Sequence, residues 1–267
     1  MALQKNTGIL LVVFGSGRAE AQTAMAKMEQ ELRITFPETG LFWAFTSGII
    51  RAKLKARGRH VDSPLEALCR MRDKGFSEII VQSLHVIPGG EYENLQKTVR
   101  AFAEQAGGAI SVTLGRPLLY THEDILDLCR ILPGLLPAGE DDCDAVLLMG
   151  HGTSHPSNIY YPGIQYYLWQ QSPRYWIATV EGYPALRDIL PMLKEKRIRR
   201  VWLAPFLAVA GNHVLDDMAG EKPDSWKSIL EAEGYQVHPV VKGLAEYKEI
   251  ARLWIKHLKE SMESHSL

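Results

Sequence analysis

Two stretches of this chain, IIVQSLHVIPGGEYE (79–93) and VWLAPFLAVAGNHVLDD (201–217), can be written one above the other without a gap, offset by 122 residues. Each is an apolar run, then small residues, then Gly-x and a side chain able to hold a proton or a metal, Glu91 in the first and His213 in the second. Two further pairs fall in the same order: LLVVFGSG (10–17) with AVLLMGHG (145–152), and WAFTSG (43–48) with IATVEG (177–182). A chain whose strand ends recur in order is constrained to a duplicated α/β unit. In this alignment the three turns of the second copy carry His151, Glu181 and His213, where the first copy carries Ser16, Ser47 and Glu91.

Between these runs the apolar residues recur at helical spacing. SPLEALCRMRDKG (63–75) has Ser63 as N-cap, Pro64 in the first turn, Glu66 three residues beyond the cap and Gly75 at the stop. Helices are also expected over 93–108, 122–135, 185–200, 224–234 with Asp224 as cap, and 244–262. The aromatic-rich stretch from Thr153 to Trp176 is less regular. Parallel strands need long crossovers, so alternating strands and helices of these lengths imply parallel sheets with helices on their faces. The expected fold is α/β: two similar domains, 1–138 and 139–267, with a cleft between them. The Pro-, Gly- and acid-rich segment LPAGEDDCD (136–144) reads as the linker.

Composition removes several function classes. A formal net charge of −1 lacks the basic excess of a nucleic-acid binder. No stretch approaches the ~18 apolar residues that span a bilayer, and no cleavable leader precedes the first strand. A cytoplasmic location is therefore expected, with neither membrane nor nucleic acid as partner. Cys69, Cys129 and Cys143 are odd in number and lack a C-x-x-C, and read as small buried hydrophobes. GSG (15–17) and GHG (150–152) follow apolar strands but extend to neither G-x-G-x-x-G nor a P-loop, so no nucleotide is expected.

The carboxyl ends of parallel strands share one edge of a sheet, which brings His151, Glu181 and His213 together as a candidate metal site. Two imidazoles and a carboxylate suit Co(II), Fe(II), Ni(II) or Zn(II), and three protein donors leave coordination positions open, as in a transient or catalytic site. The first half offers Glu91, read either as a proton acceptor or as the solvated start of a helix, and His85, near the end of an apolar strand, read either as core-facing or as a residue that supports the site or relays protons. RAKLKARGRH (51–60) is the strongest charge cluster. Arg51, Lys53 and their neighbours form either a solvated face or, with Arg18, an attraction for a polyanionic small molecule. Tyr160, Tyr161, Tyr166, Tyr167 and Trp169, with Asn158, Gln165 and Gln170 between them, either pack under a long connection or wall a pocket for a flat ligand.

VVFGSGR, SLHVIPGGEYE, LLMGHGTSHPSNIYYPG, ATVEGYP and APFLAVAGNHVLDDMAGE occur in this order. Through them nearly the whole chain resembles the class II tetrapyrrole chelatases, in particular the anaerobic cobaltochelatases of the CbiK type. The resemblance implies two α/β domains related by pseudo-twofold symmetry with the tetrapyrrole in the cleft. It implies Co(II) held by His151, Glu181 and His213, and insertion of Co(II) into sirohydrochlorin during anaerobic cobalamin biosynthesis, without ATP. Insertion of Fe(II), giving sirohaem, is a second expected activity. Ser16, Arg18, Arg51, Lys53 and Tyr160 are the expected substrate contacts, and His151, His213, Glu91 and His85 the catalytic set. Exported relatives carry a leader that is not seen here. A homo-oligomer is an open expectation. A metal or tetrapyrrole carrier without catalysis is the alternative, and a zinc hydrolase is disfavoured because H-E-x-x-H and a nucleophile elbow are missing from the sequence.

Overall fold

The computed structural model describes residues 6–136 and 141–263. The expected boundary at 138/139 lies outside these residues. The elements in chain order are β1 (Thr7–Val13), α1 (Ala19–Thr35), β2 (Gly40–Phe45), α2 (Gly48–Ala56), α3 (Pro64–Asp73), β3 (Glu78–Ser83), α4 (Gly90–Ala106), β4 (Ser111–Gly115) and α5 (His122–Leu135). They continue as β5 (Asp144–Gly150), α6 (Tyr160–Gln171), β6 (Tyr175–Thr179), α7 (Leu186–Glu195), β7 (Arg200–Pro205), α8 (Trp226–Ala232), β8 (Gln236–Pro239) and α9 (Lys248–Glu263). Two sheets result, ordered β2-β1-β3-β4 and β6-β5-β7-β8, with every pairing parallel.

The identical strand order is the duplication in structural form. β5 is buried along its whole length, as a central strand covered on both faces must be, which explains the apolar run 145–149 that follows its buried, Arg200-paired Asp144. β3 and β7 keep the offset of 122 residues from first residue to last. The β1/β5 equivalence differs from the sequence alignment. Ser47 N–H donates to the Phe14 carbonyl at 3.1 Å, and Glu181 N–H donates to the His151 carbonyl at 2.8 Å. Leu84 N–H donates to Val12 and Phe206 N–H to Met149 in the same relation. The counterpart of His151 is therefore Phe14, not Ser16, whereas Ser47 still matches Glu181. A slip of two residues preserves the in-out alternation of a strand, so hydrophobicity alone does not detect it.

The chain divides into two compact units. One takes the chain up to Gly17, Met25–Tyr120 and the segment from Ala251 onward; the other takes Arg18–Ala24 and Thr121–Ile250. Helix α5, expected to close the first half, thus groups with the second unit and packs on α6, while most of α9 groups with the first. In the first unit Leu10, Val12, Val81, Leu95 and Phe102 share a core. In the second, Leu147, Met149, Leu203, Ile189, Leu193, Val214 and Met218 do so.

Helix α3 carries the expected capping box, with Ser63 Oγ accepting from Glu66 N–H and Glu66 Oε2 accepting from Ser63 N–H. Helix α8 is capped by Ser225, not Asp224, through Ser228 N–H at 3.1 Å. The irregular aromatic stretch contains helix α6. Its Gln165 is buried and bonds both the Tyr175 carbonyl and the Ile177 N–H, satisfying backbone groups of edge strand β6, so it is no handle for a ligand. Burial lifts the Cys129 thiol to about 12, in keeping with an inert core cysteine.

Candidate metal centre

In the second sheet the chain runs from β5 outward to β6 and returns to β7 on the other side of β5. Strand order reverses between β5 and β7, and open α/β sheets bind ligands beyond the carboxyl ends of strands at such a switch. His151 follows β5, Glu181 follows β6 and His213 follows β7. One ligand atom from each lies within 4.8 Å of the other two. The two imidazole centroids are 4.7 Å apart with rings nearly perpendicular, and Glu181 Oε2 is 3.8 Å from His151 Nδ1. All three belong to the second unit. The histidine side chains are about one-third exposed and Glu181 is 58% exposed, so the cluster is reachable from solvent.

The hydrogen bonds indicate which histidine nitrogen carries a proton. His151 Nδ1 is 2.9 Å from the Gly152 carbonyl, which only accepts, so Nδ1 carries the proton. His213 Nδ1 is 2.6 Å from Asp217 Oδ2 in the same sense. With Nδ1 donating, Nε2 is the nitrogen that would serve as the donor to an ion, and metal-bound histidines are commonly steadied by a carbonyl or carboxylate in this way.

Backbone packing fixes the first two turns against each other. Gly152 has φ of +79°, and a Cβ there would lie 2.4 Å from Gly182 N. A Cβ on Gly182 would meet Asn158 Oδ1 at 2.2 Å. Asn158 ties the turns together, its Oδ1 accepting from Thr153 N–H at 3.2 Å and its Nδ2 donating to the Tyr183 carbonyl at 2.7 Å. The buried Tyr161 hydroxyl accepts from Gly152 N–H, and burial raises its pKa above the ordinary phenol value. The third turn is a π-helix, His213–Met218, whose Val214 and Met218 are fully buried in the core while His213 and Asp217 share the opposite side.

The remaining expected site residues are placed variously. Arg18 Nε donates to Asn212 Oδ1 at 2.7 Å and its Nη2 to Asp216 Oδ1 and Oδ2 at 2.9 and 2.7 Å. Ser16 is only 3% exposed, too enclosed to meet a substrate carboxylate. Arg51 lies on α2 beside Glu66 at 3.6 Å, and Lys53 is exposed on the same helix. Tyr160 is half-buried at the start of α6. Glu91 is half-buried in the first turn of α4. His85 pairs its Nδ1 with Ser83 Oγ at 2.9 Å, while its Nε2 is enclosed without a hydrogen-bond partner among the described residues. That desolvation pushes its pKa down to about 4. At neutral pH it is therefore uncharged and a poor proton acceptor. Asp217, Asn158 and Tyr161 as supports of the three donors were not read from the sequence. His213-x-x-x-Asp217 is a one-turn spacing, but the run AGNHVLDDMAG shows no helical periodicity to mark it.

Fold and site together define an α/β protein of two parallel-sheet units, with two imidazoles and a carboxylate that could hold a metal ion gathered at a strand switch. Residues 7–263 match the family described as Cobalt chelatase (CbiK), and the chain belongs to that family. The sirohydrochlorin cobaltochelatase CbiKC of Nitratidesulfovibrio vulgaris is 39% identical over 257 residues, covering 96% of this chain and 91% of that protein. The sirohydrochlorin cobaltochelatase of Salmonella typhimurium is 32% identical over 256 residues, covering 95% and 96%. Among solved structures, SirB from Bacillus subtilis with Fe3+ superposes with a TM-score of 0.66 at 14% identity over 98% of each chain. The sirohydrochlorin chelatase SirB from Bacillus subtilis subspecies spizizenii in complex with cobalt gives 0.64 at 14% identity, over 97% of this chain and 96% of that one. At such identities the likeness is one of fold. No helix among the described residues is long and apolar enough to cross a membrane.

Proposed function

We propose that this chain inserts Co(II) into sirohydrochlorin without a nucleotide, with His151, Glu181 and His213 holding the incoming ion. The observation that carries this is the approach of three donors from three strand ends to within 4.8 Å, in a chain of the cobalt chelatase family. Insertion exchanges one divalent ion for the two protons on the pyrrolic nitrogens. Two neutral imidazoles and one carboxylate leave part of an octahedral shell to water or to ring nitrogens. As the ion passes to the ring, each donor regains a lone pair, and the vacated Nε2 atoms and Glu181 become the nearest bases for the two protons. Ligand and base roles are thus shared in sequence by the same atoms. His85 acts in this reading as a neutral hydrogen-bonding group, and Glu91 as an additional proton acceptor. Arg51, Lys53 and Tyr160 are proposed contacts for the polycarboxylate substrate. Fe(II) satisfies the same donors, so sirohaem formation is a proposed second activity.

The test is to mix protein, Co(II) and sirohydrochlorin and follow the tetrapyrrole absorption spectrum. Wild type should accelerate the spectral change over the spontaneous reaction, and His151→Ala and His213→Ala should each abolish that acceleration with circular dichroism unchanged. A wild-type rate equal to the spontaneous one would favour the carrier. Near-normal turnover in both variants would remove the metal-site assignment.

A further inference from the structure

His213 opens a π-helical turn, His213–Met218, and part of what holds that turn comes from far away in sequence. A π-helical turn carries one residue more than an α-turn, is rare, and is found frequently at functional sites. On its inner side Val214 and Met218 hold it in the apolar core. On its outer side the support is Arg18, 194 residues away from Asn212, whose guanidinium reaches across one turn from Asn212 to Asp216. Those two acceptors bracket His213 on its own strip of backbone. Arg18 lies between the glycine turn that ends at Gly17 and the first residue of α1, and groups with the same compact unit as His213.

We infer that Arg18 is a positioning residue for metal capture: it clamps Asn212 and Asp216 so that His213 is held in register with His151 and Glu181. The inference rests on His213 being a Co(II) donor, as proposed above. A planar guanidinium fixes two acceptors at a set spacing, which an ammonium, as a point charge, does not. The ion pair is exposed, 42% on Arg18 and 47% on Asp216, and exposed pairs add little to global stability. Its effect is therefore expected at the site and not in the melting temperature. The three bonds to protein acceptors also give Arg18 an employment other than the substrate carboxylates expected for it from the sequence.

Titration of the tetrapyrrole-free protein with Co(II), followed by its visible ligand-field absorption, tests this on wild type, Arg18→Ala, Asp216→Ala and the double variant. Each single variant should weaken Co(II) binding by about tenfold and the double variant no further, since they break one clamp. The Co(II) spectrum should change, the melting temperature should hold, and kcat should fall with KM for the tetrapyrrole unchanged. Arg18→Lys, which keeps the charge and the fold but loses the plane, should fall between wild type and alanine. An Arg18→Ala protein that binds Co(II) as wild type does, with the same spectrum, overturns the inference and leaves the metal site standing. A raised KM with unaltered Co(II) affinity does so too, and returns Arg18 to substrate binding. Wild-type protein that takes up no Co(II) removes the metal-site reading and this inference with it.

Discussion

A neutral imidazole has one donor and one acceptor nitrogen, and at His151 and His213 the donor is already engaged by Gly152 and Asp217. The Asp217 contact should matter more, because a carboxylate both orients the ring and raises its basicity. Asp217→Ala is expected to weaken Co(II) binding by about 10- to 100-fold, with Asp217→Asn recovering part of it, as measured by equilibrium titration of the tetrapyrrole-free protein. His85 gives a prediction about stability. Its pKa of about 4 in the folded chain lies below the ordinary 6.5, so between those values the unfolded chain binds the extra proton. Stability is then fully present above pH 6.5 and declines as pH falls toward 4, by up to about 3 kcal/mol from this residue. Denaturant melts of wild type and His85→Gln across that window should show a shallower acid decline in the variant. Equal slopes would remove the enclosed imidazole as the cause.

At the level of elements, the site is three turns held at fixed spacing. Gly152 combines a positive φ with a backbone approach to Gly182 too close for any side chain. Gly152→Ala carries the left-handed penalty of about 1–2 kcal/mol and must also push the Glu181 turn away. We expect loss of Co(II) binding with a lowered melting temperature, whereas binding at wild-type affinity would show that the two turns need not touch. Much at this scale was legible beforehand. The Ser63/Glu66 capping box was readable because it is local, decided by atoms three residues apart. Helix α6 was not, because the periodicity of Tyr161, Ile164 and Leu168 is diluted by neighbouring aromatics that remain exposed, Tyr166 among them. Ser225 displaced Asp224 as the cap of α8 for another reason. Its hydroxyl also donates to the Gly220 carbonyl at 2.6 Å, a contact set by the path of the preceding loop.

Over the whole molecule, the compact units are assembled from segments that do not follow chain order. Helix α9 lies almost entirely in the unit of β1–β4, where Arg116 pairs with Glu260 and Trp254 is completely buried. Trp254→Ala should cost about 3–5 kcal/mol, read as a shift of the unfolding midpoint in denaturant. A fragment ending at residue 138 lacks this helix, and should show rapid proteolysis and weak near-ultraviolet dichroism. A stable, cooperatively melting fragment would show that α9 is dispensable to the first unit. Sequence by itself determined the duplication, the alternating α/β pattern and the three residues that cluster at the strand ends, because each is written in residue type and spacing along the chain. Only the tertiary structure decided that Phe14 is the counterpart of His151, that α5 and α9 join the units they do, and that Arg18 and Asp217 steady His213. Those outcomes depend on hydrogen bonds and packing between residues up to 198 positions apart, which no local pattern encodes.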